Sequence, residues 1–174
     1  QGFQVAYVAV GADGLVDVEE VRKAITDKTI LISVMFANNE IGTIQPVAEI
    51  GKLAKEKGII FHTDATQAVG KIPVDVEAMG IDLLSCTAHM IYGAKGVGAL
   101  FIRRRAKFSP YLVGGHQENG KRGGTENVAS IAGFGKAAEL AAGRLKDENT
   151  RVRKLRDELE AFILSKIPDS YRNG

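Results

Sequence analysis

A nearly continuous apolar run, from Thr29 to Phe36, constrains the fold more than any other feature of the sequence. Runs of this kind form strands that are buried on both faces, and such strands occur mainly in parallel sheets covered by helices. Other short apolar runs alternate with helical patterns along the chain, which is typical of an α/β fold. The predicted strands are Val5–Val10, Thr29–Phe36, Ile59–Thr63, Asp82–Cys86 and Ala99–Ile102.

Helical signals lie between and after these runs. Asp17 is expected to cap a short helix that ends near Ile25, and Pro46 to open a helix that ends at Gly58. From Val128 to Ile167 apolar residues repeat at intervals of three and four, which predicts a long helix with one face packed in a core.

Composition excludes several classes of protein. The 174 residues are 45% hydrophobic and 25% charged, which is typical of a globular domain and not of a disordered chain. The net charge of +2 predicts no nucleic-acid partner and no membrane surface. A single cysteine, Cys86, fits a reducing compartment, and no apolar run is long enough to cross a bilayer. We therefore expect a cytoplasmic protein.

The sequence starts without Met at Gln1 and stops at Gly174 without a tail, so we also expect a segment of a larger protein.

Polar residues follow three of the predicted strands, where ligands bind in open α/β sheets. One convergent site is the first interpretation; ordinary turn and cap residues are the second. Asp64 is the most informative residue, since a carboxylate at a strand end needs a cationic partner. His62 and Asp64 could begin a metal site, but no further ligands are evident, so we predict no metal. A protonated heterocyclic nitrogen is the other candidate. The polar groups are Asn38-Asn39-Glu40, Asp64 with Gln67, and Thr87-Ala88-His89.

Four blocks of sequence resemble the class V aminotransferase-like, pyridoxal-phosphate (PLP) enzymes, and most closely the cysteine desulfurases. The resemblance implies a three-layer αβα large domain of the aspartate-aminotransferase type, incomplete here, followed by the start of a small α+β domain. It places the large domain at residues 1–143 and the interdomain helix with the start of the small domain at residues 144–174. The blocks are Ala37 to Gly42, His62 to Gln67, Ala88 to Gly98 and Arg122 to Thr125.

The resemblance also implies roles for individual residues. Asp64 would bind the pyridine nitrogen, Gln67 the phenolic oxygen of the ring, and Asn39 would lie beside the ring. Thr87 and His89 would hold the phosphate. In a separate loop, Thr125 would reach the phosphate of the neighbouring subunit in a homodimer, with the glycines between Gly114 and Gly124 allowing close approach.

Met90 departs from the family pattern. The lysine that forms the Schiff base directly follows the histidine in the family, and Met90 occupies that position here. A thioether cannot form an imine. Lys95 is no ready substitute, because it lies five residues further on. Met90 is an engineered substitution, a natural loss of catalysis or a sequence irregularity, and the pattern does not choose among them.

The implied activity is PLP-dependent conversion of L-cysteine to L-alanine and an enzyme persulfide, which supplies sulfur for iron–sulfur cluster assembly through an acceptor or scaffold protein. This chain would be an incomplete and inactive portion of that enzyme. Cys86 does not match the family's sulfur-carrying cysteine and is predicted to be a buried, inert thiol. The alternatives are a selenocysteine lyase, another class V PLP lyase, or a non-catalytic PLP-fold binding protein that lacks the lysine.

Overall fold

The computed structural model describes residues 2–104 and 106–174, so Gln1 and Arg105 lie outside the description. Helices and strands alternate through the first two thirds of the chain, and the last third is helical. A 3₁₀ turn over His89–Ile91 follows β3, and a π-helical turn over Glu148–Val152 joins α4 to α5. The elements are α1 (Val18–Ala24), β1 (Leu31–Met35), α2 (Val47–Lys57), β2 (Ile60–Asp64), β3 (Leu83–Thr87), β4 (Gly98–Ile102), α3 (Gln117–Gly120), α4 (Val128–Asp147) and α5 (Arg153–Lys166).

The four strands form one sheet in the order β1-β2-β3-β4. The first three strands are parallel, and β4 runs antiparallel to β3. The prediction of an α/β sheet is therefore confirmed, with an antiparallel strand added at one edge. Parallel pairing places the carboxyl ends of β1, β2 and β3 side by side.

Helix α2 forms the core with one face of the sheet. Ile50 and Leu53 of α2 pack with Phe61 of β2, and all three are at most 1% exposed. The predicted helix boundaries are confirmed: Pro46 precedes α2, and Gly58 ends it in the left-handed conformation with φ of 67°. Asp17 caps α1 by accepting a hydrogen bond from the Glu19 N–H at 2.8 Å.

The predicted burial of the run Thr29–Phe36 on both faces is wrong. Ile32 and Phe36 are buried against the core, but Leu31 and Ser33 on the opposite face are exposed. The apolar residues of this run correctly indicated a strand. They do not show whether helices cover one face of the sheet or both.

The predicted strand over Val5–Val10 is also wrong. Only Val10 pairs, in an isolated bridge with Val16, and Val5 and Tyr7 are 68% and 92% exposed. β-Branched residues favour strands only where a partner strand and a packing surface are present.

The long predicted helix forms, but its apolar face is not in a core. Leu155, Leu159 and Phe162 are 54%, 61% and 60% exposed. Periodicity identified the helix and its apolar face, and it does not reveal whether that face has a partner.

Arg103 directly follows β4, and its side chain is only 15% exposed. Its guanidinium lies 2.7 Å from a carboxylate oxygen of Glu77 and 3.3 Å from one of Asp82. It also donates hydrogen bonds to the carbonyl groups of Val76 and Ile81. Arg103 therefore fastens the end of β4 to the segment that precedes β3; Arg105 lies outside the described residues.

Candidate functional site at the carboxyl ends of the strands

The carboxyl ends of the three parallel strands meet at one edge of the sheet. Met35 pairs in register with Asp64, and Asp64 pairs with Ser85, two residues before Thr87. Because the three strand ends are neighbours, the segments that follow them lie together. The predicted convergence of three polar groups is thus built into the sheet.

Asp64 ends β2 as a half-buried carboxylate. Its Oδ1 accepts a hydrogen bond from the Thr66 N–H at 2.9 Å, which turns the chain immediately after the strand. Among residues 2–104 and 106–174, no basic side chain forms an ion pair with Asp64. A partly desolvated carboxylate without an ion-pair partner among these residues is a suitable partner for a cationic group of a ligand.

His62 lies on the same face of β2 as Asp64 and bridges the neighbouring strands. Its Nδ1 lies 2.8 Å from the Ser33 hydroxyl and its Nε2 lies 3.3 Å from the Ser85 hydroxyl. Burial lowers the pKa of His62 from its ordinary value of 6.5, and the nearby Asp64 charge only partly opposes this shift. The neutral imidazole therefore links three strands beneath the site. Sequence reasoning considered His62 only as a metal ligand, since its serine partners become visible only once the strand register is known.

Gln67 and Met90 bring the second and third polar groups into contact. The Gln67 Nε2 lies 3.9 Å from the Met90 sulfur, and the Gln67 Oε1 accepts a hydrogen bond from the Lys71 ammonium at 2.6 Å. Both Gln67 and Met90 are half-buried. The position that the resemblance assigns to the covalent lysine therefore faces an amide N–H of Gln67.

Thr87 and His89 form a second contact at this edge. The Thr87 hydroxyl lies 3.0 Å from the His89 Nδ1 and 3.2 Å from the Val97 carbonyl oxygen. A carbonyl oxygen only accepts, so the single hydroxyl proton is directed to Val97 and the hydroxyl accepts from the His89 Nδ1–H. This arrangement leaves the Nε2 of the exposed His89 imidazole directed away from Thr87.

Asn39 and Thr125 are not joined to these contacts. Both are exposed, and neither side chain makes a hydrogen bond with another described residue. The neighbouring Asn38 has the role of a turn residue, because its Oδ1 accepts from the N–H groups of Glu40 and Ile41 at 2.8 and 3.0 Å. The roles of Asn39 and Thr125 stay predictions.

The Cys86 thiol was predicted to be buried and inert, and the residue is half-buried. Burial raises the pKa of this thiol, while a hydrogen bond from the Ala99 backbone opposes the shift. A raised pKa disfavours the reactive thiolate, which fits the prediction of an inert cysteine.

A separate groove lies away from these residues. It has a volume of about 980 Å³ and runs between residues 9–22 and α2, and its lining includes none of the predicted site residues. We place the candidate site by the chemistry at the strand ends, because in this fold class ligands bind there.

Within the described ranges, no three His, Cys, Asp or Glu side chains are grouped so that they could hold a metal ion. No helix formed by these residues is both long and apolar enough to span a bilayer.

Several known proteins are similar to this chain in sequence. Residues 1–173 match the family described as Aminotransferase class-V. The chain is 54% identical, over its whole length, to the cysteine desulfurase IscS of Clostridium botulinum and covers 44% of that protein.

Two solved structures extend this similarity to three dimensions. A NifS-like protein matches with a TM-score of 0.89 and 41% identity, over 94% of this chain and 46% of the other. A structure of SspA in complex with cysteine matches with a TM-score of 0.77 and 45% identity, over 79% of this chain and 40% of the other. The chain thus spans less than half the length of these relatives, and the predicted fold is confirmed.

Proposed function

Because the chain belongs to the class-V aminotransferase family, we propose that it carries part of the PLP site of a cysteine desulfurase. The observation that carries this proposal is the half-buried Asp64 carboxylate, which has no ion-pair partner among the described residues. It lies at the sheet edge where Gln67, Thr87 and His89 also lie. The 54% identity to a cysteine desulfurase over the whole chain supports the assignment.

The donor set at the strand ends fits PLP in its non-covalent contacts. Asp64 would hold the protonated ring nitrogen, and the Gln67 amide would donate to the phenolic oxygen. Thr87 and His89 would hold the phosphate. When bound, PLP supplies an electron sink for the charge that develops at the substrate Cα.

The polar side chains at this edge can change partners without rebuilding the backbone. The Thr87 hydroxyl donates a long hydrogen bond of 3.2 Å to the Val97 carbonyl oxygen. An anionic oxygen would compete with this carbonyl for the hydroxyl proton. His89 is exposed, so the ring N–H that it donates to the Thr87 hydroxyl can be donated to an incoming phosphate instead. Asp64 keeps its Thr66 contact on Oδ1, which fixes the direction of the carboxylate.

The proposed reaction is removal of sulfur from L-cysteine, giving L-alanine and a persulfide. A structural relative that is described in complex with cysteine supports this substrate class. The sulfur carrier is a cysteine other than Cys86, because burial raises the Cys86 pKa. We further propose a cytoplasmic homodimer, in which Thr125 contacts the neighbouring phosphate and an acceptor protein takes sulfur to iron–sulfur cluster assembly.

A non-catalytic PLP-binding role is the second candidate, and Met90 favours it. A thioether offers no amine at the position facing Gln67, so the cofactor would be held without a covalent bond. In this case the chain binds PLP, or a ligand of similar charge, without turnover.

Restoring the amine distinguishes the two candidates. In a chain extended to the length of its relatives, Met90→Lys is expected to release sulfide from L-cysteine when PLP is present together with dithiothreitol, which reduces the persulfide, and Met90→Leu is expected to release none. Sulfide is measured colorimetrically over time. If Met90→Lys binds PLP but releases no sulfide above the Met90→Leu background, the desulfurase assignment is wrong.

A further inference from the structure

We propose that Lys71 and Asn149 form a positioning chain that directs the amide of Gln67 toward residue 90. The significance of this chain for a ligand rests on the proposed PLP site, whereas the chain itself is a property of the protein alone. Its two links join the π-helical turn between α4 and α5 to the candidate site.

The first link sets the orientation of the Gln67 amide. An ammonium group only donates hydrogen bonds, so the Gln67 atom that lies 2.6 Å from the Lys71 Nζ must be the oxygen. The amide nitrogen then faces the opposite way, where it lies 3.9 Å from the Met90 sulfur. Without Lys71, the two ends of the amide would differ little in energy, and either could face residue 90.

No carboxylate of the described residues competes with Gln67 for the Lys71 ammonium. Among residues 2–104 and 106–174 it forms no ion pair with a carboxylate. Lys71 and Gln67 are four residues apart in the turn that follows β2. A lysine that is exposed but bound to an amide oxygen, and not to a carboxylate, is well suited to orient a side chain.

The second link holds the backbone of Lys71. The Asn149 Nδ2 donates to the Lys71 carbonyl oxygen at 2.8 Å and to the Leu145 carbonyl oxygen at 2.8 Å, so both amide protons are used. Asn149 lies in the π-helical turn Glu148–Val152, and such turns inside helices occur frequently at functional sites. The irregular turn thus presents an amide to the segment that carries Lys71.

Tight packing next to Lys71 makes this link rigid. A Cβ at Gly70 would lie 2.6 Å from the Ile91 side chain and 3.0 Å from Ala141, so the backbone there is pressed between the 3₁₀ turn and α4. A displacement of α4 would therefore be transmitted to Lys71, and through it to the amide beside residue 90.

The inference is tested first without any ligand, by NMR of the protein labelled with ¹³C in its methionine methyl groups. The chain has three methionines, so the Met90 signal can be assigned from a Met90→Leu variant. Lys71→Leu and Asn149→Ala are expected to shift the Met90 signal and to leave that of Met79 in place. Lys71→Arg, which keeps a hydrogen-bond donor, is expected to leave the Met90 signal at its wild-type position. Lys55→Leu, which removes another exposed lysine, is the control.

A Met90 signal that is the same in Lys71→Leu as in the wild type would overturn the proposal. Circular dichroism of each variant is the control for retention of the fold.

Binding of PLP, measured by equilibrium dialysis, tests the consequence. Lys71→Leu is expected to bind PLP about three- to tenfold more weakly than the wild type, as for the loss of one oriented hydrogen bond. The effect is expected to vanish in a Gln67→Ala background. An equal loss in that background would mean that Lys71 acts on the ligand directly, which overturns the proposal. Absence of PLP binding by the wild type would instead contradict the proposed function, while the methyl shifts still decide the positioning chain.

Discussion

Met90 places a half-buried thioether where the family resemblance predicts a lysine, against an amide that is oriented by a neighbouring ammonium. Around it, Asp64, Thr87 and His89 provide polar groups that a phosphorylated, cationic heterocycle would need. This arrangement fits the proposed cofactor site, with a thioether at the position predicted for the reactive amine.

Asp64 and Thr87 could be predicted from sequence because each follows an apolar run directly, and parallel strands end together. The partners of His62 could not, because Ser33 and Ser85 lie 29 and 23 residues away from it and meet it only through the strand register. Lys71 was overlooked for a related reason, since an exposed lysine in a loop has no sequence signal that names its partner.

His62 gives a testable pH dependence at the residue scale. Burial lowers its pKa in the folded state below the ordinary value of 6.5, so the unfolded chain binds the proton more tightly. The free energy of unfolding is therefore expected to be highest above pH 6.5, to fall as the pH is lowered through 6.5, and to level off below the folded pKa. Urea unfolding of the wild type and His62→Gln across this range measures the effect.

His62→Gln is expected to remove this part of the pH dependence. His116→Gln, at an exposed position, is the control for the loss of a histidine. A slope in His62→Gln equal to that of the wild type would contradict the assignment.

At the scale of elements, the residues that begin and end helices predicted the boundaries of α1 and α2 well. Asp17, Pro46 and Gly58 act on the backbone next to them, so their effect can be predicted from local sequence. Burial was predicted less well. The strand expected at Val5–Val10 and the core face expected on α5 both depend on partners that local sequence does not specify.

The packing of α2 on the segment before β3 gives a second prediction. A Cβ added at Gly51 would collide with the Met79 carbonyl oxygen, and this backbone atom cannot move aside easily. Gly51→Ala is expected to lower the free energy of unfolding by about 1–3 kcal/mol, as for other overpacked cores. Urea unfolding gives the value.

Gly133→Ala is the matched control in α4, where an added Cβ meets nothing within 4 Å. It is expected to stabilise the protein by up to about 1 kcal/mol, because alanine favours the helix more than glycine does. Equal effects of the two substitutions would show that α2 does not pack against Met79 in this way.

At the scale of the whole molecule, the chain spans 44% of the length of its Clostridium botulinum relative, yet it places most of the predicted cofactor-binding residues at one sheet edge. The apolar face of α5 and the uncovered face of β1 leave large side chains exposed. Exposed apolar surface of this kind favours association with another protein surface.

The resemblance carried the prediction of the family and the fold, since four spaced blocks of sequence are far more specific than any single motif. Composition and periodicity alone would have reached an α/β sheet with polar residues at the strand ends. They could not have distinguished a complete site from one without its amine.

If residue 90 faces the proposed PLP site, a lysine introduced there should form an imine with PLP. Met90→Lys is incubated with PLP, reduced with borohydride and mapped by mass spectrometry; Tyr92→Lys, which adds a lysine at an exposed position two residues away, is the control. We expect a pyridoxyl group at residue 90 of the first variant and none at residue 92 of the second. No label at residue 90, or equal labelling at both positions, would show that residue 90 does not face such a site.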